Sequence, residues 1–539
     1  MWAVCRICGE RKKSGGNAGT SHLKRHTNSC LKKRKTDNSQ TTIVVNGQGK
    51  IATFNFNQAR ARKNVIKLII LRELPFQFVE DPIFQWFINA SFHPGFVKFS
   101  RNTLRTDIYK CYLEGKQQLK RILLDSPGRI SLTSDIWLSK QRLSYLGITA
   151  HFIDKNWVLQ KRIITYALID TSHTGENIAE FIFRKLVHDW SISEKLFSLD
   201  MDNASANTVS VSRLKKLFPN LPSKGDLFHV RCCFHILNLV VHDGLKVQGF
   251  TEMLEHVKGS LKYIFVSGTR CTQFRLLCDD MGVRSKKLQL DVKHRWNSTY
   301  LMLKDAIPYR QVLSAFLDDR SCPHVIDDTD WEHAEVLCAF LKPFYDATNY
   351  FSGVHYVTSN SVLQYLYEIG NYSFQWSADF NRYFRDFCWS NAFRLFNRGL
   401  LHFIWKRFWA SRNRKKRDPL ATSSEELKRY YAEPEPALAD IENFDVLDWW
   451  KSNEKRYPVL SCVARDVLAV QASTVASESA FSLGKRILGD YRSSLTPDML
   501  ECSVVIKDWW KADMKDIFKP IDPLNDDITP ADELERLAT

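Results

Sequence analysis

The stretch RISLTSDIWL at residues 129–138 decides the fold, because apolar and polar side chains largely alternate along it. A period of two residues is typical of a β-strand with one buried face. Two similar stretches follow, LGITAHFI at residues 146–153 and VLQKRIITYALI at residues 158–169. A Pro-Gly pair at residues 127–128 separates them from the preceding helical pattern. A sheet therefore begins at this point of the chain.

The region after these three strands adds helices and two more strands. Residues 175–190 carry apolar side chains at helical spacing, and KLFSLDMD at residues 195–202 is predicted as a fourth strand that ends in acids. LFHVR at residues 227–231 is predicted as a fifth strand. Three strands, a helix, a strand, a helix and a strand predict an α/β unit with one mixed sheet.

Helical patterns flank this sheet on both sides. Residues 61–124 have apolar side chains at helical spacing, interrupted by three prolines, and follow a polar, linker-like stretch at residues 31–60. The pattern is almost wholly helical from residue 234 to 368 and again from 443 to 510. Residues 372–409 hold fourteen aromatic side chains in 38 positions without a clear period. The sequence therefore predicts a multidomain α/β protein with large helical segments.

Composition limits the class of protein. The chain has 539 residues, a formal net charge of +16 and a pI near 9.2, and its 44% hydrophobic and 25% charged residues exclude a mainly disordered chain. No apolar run approaches the ~18 residues of a membrane span, and the 13 scattered cysteines do not resemble a disulfide framework. We expect a soluble, intracellular protein of three or four domains with a polyanionic partner.

The positive charge is concentrated at the N-terminus. Residues 1–35 contain ten Lys and Arg against one acid, Glu10, which gives this segment a net charge of +9. A second basic cluster lies at residues 406–417, and the tail from Lys511 is acidic. Such blocks usually mark interaction segments, although a solvated basic tail is the plain alternative.

The N-terminal segment also has the spacing of a zinc site. Cys5-x2-Cys8 is followed after 17 residues by His26-x3-Cys30. Two thiolates on a turn, together with an imidazole and a thiolate one helical turn apart, can converge on tetrahedral Zn²⁺. His22 competes with His26 as the third ligand, but the spacing of His26 to Cys30 is better. Scattered surface cysteines and histidines are the alternative. A segment of this length is too short to bury a core without a metal.

Three acids are candidates for a metal site or for a plain structural role, and the sequence around them favours different roles. Asp135 ends the first strand and Asp202 ends the fourth, and acids at the ends of neighbouring strands can hold hard divalent cations together. An Asp at a strand end is more often a cap or turn residue. Glu478 lies opposite an alanine-containing apolar stripe, which by pattern alone makes it an ordinary solvent-facing glutamate.

Two further motifs leave two interpretations open. Cys232-x2-His235 could belong to a metal site, but next to an apolar run it is more often a packed core element. The segment KHRWN at residues 293–297 combines basic side chains with Trp296, which suits stacking on a nucleobase beside a phosphate. A buried tryptophan is the commoner explanation.

The order of these pieces resembles the hAT superfamily of transposases, and its plant Ricesleeper-like branch in particular. The N-terminal Cys/His segment resembles a BED-type zinc finger. The resemblance covers nearly the whole chain, and the last of its motifs is highly specific. The motifs that carry it are ISLTSDIW, LDMDNASAN, VRCCFHILNLVV, DVKHRWNST and STVASESAFSLGKRILGDYRSSLTPDML.

The resemblance implies an RNase H-like catalytic domain with a D, D, E triad, which here falls on Asp135, Asp202 and Glu478. The gaps of 67 and 276 residues agree with that fold if an all-helical insertion precedes the glutamate helix. The face of Glu478 opposite the alanine stripe would then look into the sheet. The triad would bind two Mg²⁺ or Mn²⁺, and the finger would bind Zn²⁺ at Cys5, Cys8, His26 and Cys30.

The resemblance and the charge pattern together imply double-stranded DNA as a partner. The family's Cys-x2-His motif matches Cys232 and His235, and its insertion-domain tryptophan, associated with DNA-hairpin handling, matches Trp296. The residues expected to contact DNA are Lys24, Arg25, Arg231, Cys232, His235, Arg295 and Trp296. The second partner is another copy of the chain, bound through a C-terminal dimerisation region; we expect no membrane and no small-molecule substrate.

The resulting domain prediction combines a small ββα-type zinc finger, an RNase H-like core interrupted by an all-α insertion, and a helical dimerisation region. Its boundaries are a finger at 1–35, a linker at 36–60, a helical unit at 61–125, the first part of the core at 126–234, the helical insertion with a poorly matched segment at 235–424, the dimerisation region with the glutamate helix at 425–510, and an acidic tail at 511–539.

These expectations favour a nuclear hAT transposase-like protein that binds DNA and, if active, cleaves and joins transposon ends. The alternative is a domesticated regulator of gene expression that binds DNA and dimerises without catalysis. It is motivated by residues 372–415, where an L-D-P-R-like element of the family has no counterpart. A third reading is a decayed element that encodes no folded protein.

Overall fold

The computed structural model forms two compact units, residues 1–110 and 111–539. None of the helices it describes is both long and apolar enough to cross a bilayer. The described residues are 2–5, 8–13, 21–37, 42–45, 51–54, 56–246, 249–292, 296–318, 322–353, 355–362, 364–365, 368–369, 426–430, 432, 444–489 and 495–514.

The first unit begins with two short strands and a helix. Strands β1 (Trp2–Val4) and β2 (Arg11–Lys13) pair antiparallel, and helix α1 spans Ser21–Asp37. A second antiparallel pair follows, formed by β3 (Thr42–Val45) and β4 (Ile51–Phe54). The predicted linker at 36–60 is thus not without regular structure, because the sequences TIVV and IATF are rich in residues that favour strands.

Helices complete this unit. They are α2 (Gln58–Leu71), α3 (Pro82–Ser91) and the beginning of α4 (Arg101–Asp125), with a 3-10 turn at Phe76–Glu80. The N-cap of α2 is Asn57, whose side chain accepts a hydrogen bond from the backbone of Arg60. Buried aliphatic and aromatic side chains of these helices form the apolar core of the unit.

The second unit is built on a five-stranded mixed sheet. Its strands are β5 (Ile130–Leu138), β6 (Ser144–Ile153), β7 (Leu159–Leu168), β8 (Leu196–Met201) and β9 (His229–Arg231), in the order β7-β6-β5-β8-β9. The pairs β5–β6 and β6–β7 are antiparallel, and β5–β8 and β8–β9 are parallel. The predicted mixed sheet and its order of strands and helices are confirmed.

Helices cover this sheet and continue the chain. Two of them connect the parallel strands, α5 (Gly175–Arg184) and α6 (Ser205–Leu217). The predicted all-helical segment is also confirmed within the part of the chain that the structure describes, and its helices share one buried apolar core. These helices are α7 (Cys233–Gly244), α8 (Phe250–Val266), α9 (Gly268–Asp280), α10 (Trp296–Ala306), α11 (Arg310–Asp318) and α12 (Asp328–Phe351).

Four C-terminal helices return to the sheet. Helix α14 packs near β6, α15 crosses the sheet and α16 lies against β7. The glutamate helix is therefore separated from the strands in sequence but adjacent to them in space. The four helices are α13 (Val446–Asn453), α14 (Pro458–Leu468), α15 (Val475–Ile487) and α16 (Pro497–Asp513).

Candidate functional site

The parallel pairing of β5 and β8 brings two of the predicted acids together. Thr133 of β5 lies opposite Asp200 of β8. Two residues further along, β5 reaches Asp135, and Asp202 directly follows the end of β8. Because side chains two residues apart in a strand share a face, Asp135 and Asp202 project on the same side of the sheet.

Helix α15 lies against the face of the sheet that carries these acids. The hydroxyls of Ser477 and Thr133 lie 3.0 Å apart, within hydrogen-bonding distance. Further along the helix, Phe481 packs on Gly147 of β6, where a Cβ would lie only 3.0 Å from the phenyl ring. A Cβ at Gly484 would overlap the hydroxyl of Tyr166. Small residues on both surfaces therefore let the helix approach the sheet closely.

This close approach places Glu478, the neighbour of Ser477, beside Asp135. The side chain keeps exposed surface, and Oγ1 of Thr474 lies 3.5 Å from its Oε1. Thr474 is in turn held by the end of β9, since its hydroxyl lies 3.4 Å from the thiol of Cys232. The backbone N–H of Cys233 also donates to the carbonyl of Ala472. The Cys-x2-His motif thus fastens the segment that begins the glutamate helix.

Asp135 feels the charges of the other two acids. Burial raises the pKa of Asp135 to about 7, and the negative charges of Asp202 and Glu478 add to the rise. The backbone N–H of Ile136 donates a hydrogen bond to Oδ1 of Asp135 at 2.7 Å, and this bond lowers the pKa of Asp135, against the effect of burial. Partial burial of its carboxyl group also raises the pKa of Glu478, even though the side chain retains contact with solvent. Ionisation of Asp135 and Glu478 is therefore disfavoured unless a cation is present.

Asp202 is held in place by its own turn. Its Oδ1 accepts hydrogen bonds from the backbone N–H of Ala204 and from the side-chain amide of Asn207. This is the arrangement expected of a turn aspartate. The turn leaves Asp202 beside Asp135, so the capping role and a role in the cluster coexist.

A fourth acid, Asp200, was not selected from the sequence. It is 1% exposed and lies in β8 on the same face as Asp202. Burial raises its pKa well above the ordinary value, and the charges of Asp135 and Asp202 add to the rise. The period-two spacing from Asp202 was the signal in the sequence that could have identified it.

The donor set of the core fits hard divalent cations. It consists of carboxylate oxygens, the ligands that Mg²⁺ and Mn²⁺ prefer, and added positive charge would relieve the repulsion among them. The structure describes all of these acids, and no three of them have carboxylate oxygens that all lie within 4.8 Å of one another.

The finger ligands form a tighter group. The ligand atoms of Cys5, Cys8, His26 and Cys30 all lie within 4.8 Å of one another. The Sγ of Cys8 and the Sγ of Cys30 are 3.5 Å apart, and each lies 3.3 Å from Nε2 of His26. Tetrahedral zinc with ordinary bond lengths places such atoms about 3.5–3.8 Å apart. The set therefore fits Zn²⁺, and it contains His26, not His22.

Two local features shape this ligand set. The turn from Cys5 to Glu10 closes with hydrogen bonds from Gly9 to Cys5 and from Cys5 to Glu10, both 2.9 Å, and Gly9 adopts a φ of 76°. The carboxylate of Glu10 lies 3.6 Å from Nδ1 of His26, opposite the nitrogen that faces the thiols. A carboxylate behind a histidine ligand orients the imidazole. Glu10 is a candidate functional residue that the sequence marked only as the single acid in a basic segment.

The residues predicted to contact DNA are placed differently from one another. Lys24, Arg25 and Arg231 are exposed, whereas Cys232 is buried and His235 is partly buried. Trp296 is 5% exposed and belongs to the apolar core of the helical segment, so its ring is not available for stacking on a base in this conformation. The commoner explanation for this tryptophan holds because α10 packs its face against α12. Arg295, the basic cluster at 406–417 and residues 372–415 lie outside the described residues.

A cationic cavity of about 700 Å³ reaches Glu478 from the side of β7 and α16. Five Lys and Arg line it against two carboxylates, those of Glu478 and Asp508. Asp508 accepts from Nζ of Lys161 and from the backbone of Ile163, both at 2.7 Å. The cavity therefore carries excess positive charge beside Glu478. The cationic side chains are Lys161, Arg162, Arg486, Lys507 and Lys511.

Comparison with known proteins matches three parts of this chain. Residues 426–510 match the hAT family C-terminal dimerisation region. Residues 133–227 match the ZBED1 RNase-like domain, and residues 230–340 match the ZBED1 RNase-like helical domain. The matches follow the sheet, the helical segment and the returning helices in order.

Whole-chain relatives agree with these matches. An AC transposase of Zea mays is 31% identical over 96% of this chain and 74% of its own length. Zinc finger BED domain-containing proteins are also similar: RICESLEEPER 2 of Oryza sativa subsp. japonica at 28% identity (94% of this chain, 85% of the relative) and DAYSLEEPER of Arabidopsis thaliana at 27% (94% and 84%). The chain belongs to the hAT transposase family. It has a mixed-sheet RNase-like core, a helical domain and a hAT dimerisation region.

Proposed function

We propose that this protein is a nuclear, DNA-binding hAT transposase that dimerises and cleaves and joins DNA at transposon ends. The observation that supports this best is the placement of Asp135, Asp202 and Glu478 on one side of the RNase-like sheet, although 276 residues separate the last two in sequence. Carboxyl groups with raised pKa values that share one face of a core sheet are typical of a catalytic site.

The core acids are proposed to hold two divalent cations. Asp135 and Asp202 do so from adjacent strands, and Glu478 does so from α15. When bound, such ions activate a water or hydroxyl and stabilise the leaving oxygen of a phosphodiester. The turn at Asp202 and the Ser477–Thr133 contact hold these carboxylates in place. Cys232 and Thr474 position the beginning of the glutamate helix.

The N-terminal segment is proposed to be a ββα-type BED finger that binds Zn²⁺ through Cys5, Cys8, His26 and Cys30. Lys24 and Arg25 are exposed on α1, the helix that also carries His26 and Cys30. From this position their side chains can reach phosphates. Contacts from cations to phosphates supply sequence-independent affinity that falls steeply with salt. The finger is thus the proposed first contact with double-stranded DNA.

The remaining domains are proposed with the boundaries predicted from the sequence. The core comprises 126–234 and the glutamate helix within 425–510, and the helical insertion lies between them. Residues 425–510 are proposed to join two copies of the chain. The names of the relatives, an AC transposase and zinc finger BED domain-containing proteins, support a nuclear site of action.

A cleavage assay tests this proposal. Full-length protein is incubated with DNA that carries the inverted repeats flanking its own gene, with Mg²⁺ or Mn²⁺, and strand nicks are mapped. We expect nicks at the repeat ends that depend on the metal. DNA with scrambled repeats is the control. Specific binding without nicking in either metal would contradict the catalytic part and favour the domesticated regulator, which the segment at 372–415 motivates.

The cationic cavity beside Glu478 is proposed to hold phosphates of the DNA strand that reaches the acids. We expect Arg486→Gln combined with Lys511→Gln to reduce the salt dependence of DNA binding, because each lost phosphate contact lowers the slope of log K against log salt by about 0.9. Fluorescence anisotropy at several salt concentrations measures this slope. Arg275→Gln with Lys287→Gln, two exposed cations of the helical segment, is the matched control. Equal slopes for the two double variants would refute the assignment.

A further inference from the structure

Asp200 is the most completely buried acid of the core site. It is 1% exposed, and neither of its carboxylate oxygens has a hydrogen-bond partner. It lies in β8 opposite Thr133, two residues before Asp202 and on the same face. The carboxyl is therefore directed to the side of the sheet that carries Asp135, Asp202 and α15.

Such a position is costly for an acid. A buried carboxylate without a partner loses its hydration, and nothing replaces that loss unless a cation or hydrogen-bond donors are nearby. The charged groups that act on Asp200 are Asp135 and Asp202, which have the same sign. The thiols of Cys232 and Cys233 are close enough to respond to its charge but offer no positive charge.

A divalent cation at the acids would supply the positive charge that a buried Asp200 carboxylate needs. Two divalent ions carry four positive charges, while Asp135, Asp202 and Glu478 supply three negative charges. Asp200 adds the fourth. We propose that Asp200 is a fourth carboxylate of the divalent-cation site, on the same face of the sheet as Asp135 and Asp202. The proposal rests on the metal site of the proposed function and does not require DNA cleavage.

Manganese binding to the full-length, zinc-loaded protein tests this assignment. We expect Asp200→Asn to weaken Mn²⁺ binding at least about tenfold, the range seen when a supporting group of a metal site is lost. Calorimetric titration and the electron paramagnetic resonance signal of free Mn²⁺ both measure this affinity. Without metal, the amide replaces a buried carboxyl group that has no hydrogen-bond partner, so we expect the melting temperature of Asp200→Asn to equal or exceed that of the parent.

Asp330→Asn is the matched control. Asp330 is also a buried aspartate, at 7% exposure, but it is hydrogen-bonded in the capping box of α12. Its replacement is expected to lower the melting temperature and to leave Mn²⁺ affinity unchanged. Asp200→Thr, which keeps a strand-favouring residue beside Thr133, serves if the asparagine variant does not fold.

The outcomes separate this inference from the proposed function. Unchanged Mn²⁺ affinity in a folded Asp200 variant, with affinity lost in Asp202→Asn, would overturn the role of Asp200 alone. A parent protein that binds no Mn²⁺ at the core would overturn the whole metal site. Weakened Mn²⁺ binding in a protein that never nicks DNA would support Asp200 and reject only the catalytic function.

Discussion

Glu478→Gln is expected to reduce cleavage of terminal-repeat DNA by at least about 10³-fold while DNA binding and zinc content stay at the parent level. The substitution preserves shape and the contact to Thr474, but it removes the negative charge that α15 supplies to the acids. Because the three carboxylates are proposed to hold the same pair of cations, Glu478→Gln combined with Asp135→Asn should be scarcely worse than either alone. Single-turnover cleavage in Mg²⁺ measures the effect.

Glu180→Gln is the matched control for this loss. Glu180 is an exposed glutamate of α5 that pairs with Arg184, and we expect its replacement to leave cleavage unchanged. Retention of cleavage in Glu478→Gln would remove Glu478 from the site. Loss of folding or of DNA binding in the same variant would show that its role is structural.

The strands of the core could be predicted from the sequence because their information is local. The alternation around Asp135 and the acid-terminated strand at Asp202 identified both elements, and pairing of neighbouring parallel strands then brings the two acids together. Period two also places Asp200 on their face, but burial and the absence of a hydrogen-bond partner depend on β9 and α15, which no local pattern reveals.

Glu478 shows the limit of that reasoning. The apolar stripe of α15 suggested a solvent-facing glutamate, and only the family resemblance directed it towards the sheet. In the structure Glu478 is exposed, as the stripe predicts, and it also acts on Asp135, because Ser477 contacts Thr133 and Phe481 contacts Gly147. A second face of small and aromatic residues on α15 packs on the sheet, and Glu478 lies at its edge. Pattern analysis of a helix identifies its most apolar face but not every surface that it buries.

Trp296 and the finger ligands can also be compared between sequence and structure. A basic-aromatic motif suits base stacking, yet Trp296 is buried because the core of the helical segment needs its ring. The structure brings the four predicted finger ligands together and includes His26 among them, whereas the spacing in the sequence still left His22 as an alternative. The role of Glu10 could not be predicted, because its distance to His26 depends on the turn at Gly9.

Replacement of His26 by Ala is expected to remove one zinc ion per chain and to abolish the structure of residues 2–37. Among the described side chains of residues 2–30 only Cys30 is buried, so no apolar core can replace the metal. Structural zinc supplies folding free energy directly, on the order of 10 kcal/mol or more at neutral pH. Zinc content by atomic absorption and amide hydrogen exchange of residues 2–37 measure the two effects.

The same variant is expected to lose DNA affinity at least about tenfold at moderate salt, with a smaller slope of log K against log salt, because Lys24 and Arg25 would no longer be held on a helix. His22→Ala is the matched control, since it removes the competing histidine one turn earlier on α1, and we expect it to retain zinc, protection and affinity. Zinc lost in His22→Ala and kept in His26→Ala would instead assign the third ligand to His22. Equal DNA affinity for the parent and a zinc-free His26→Ala protein would show that the finger is not the first contact with DNA. That contact would then be assigned to the core, at the cationic cavity beside Glu478.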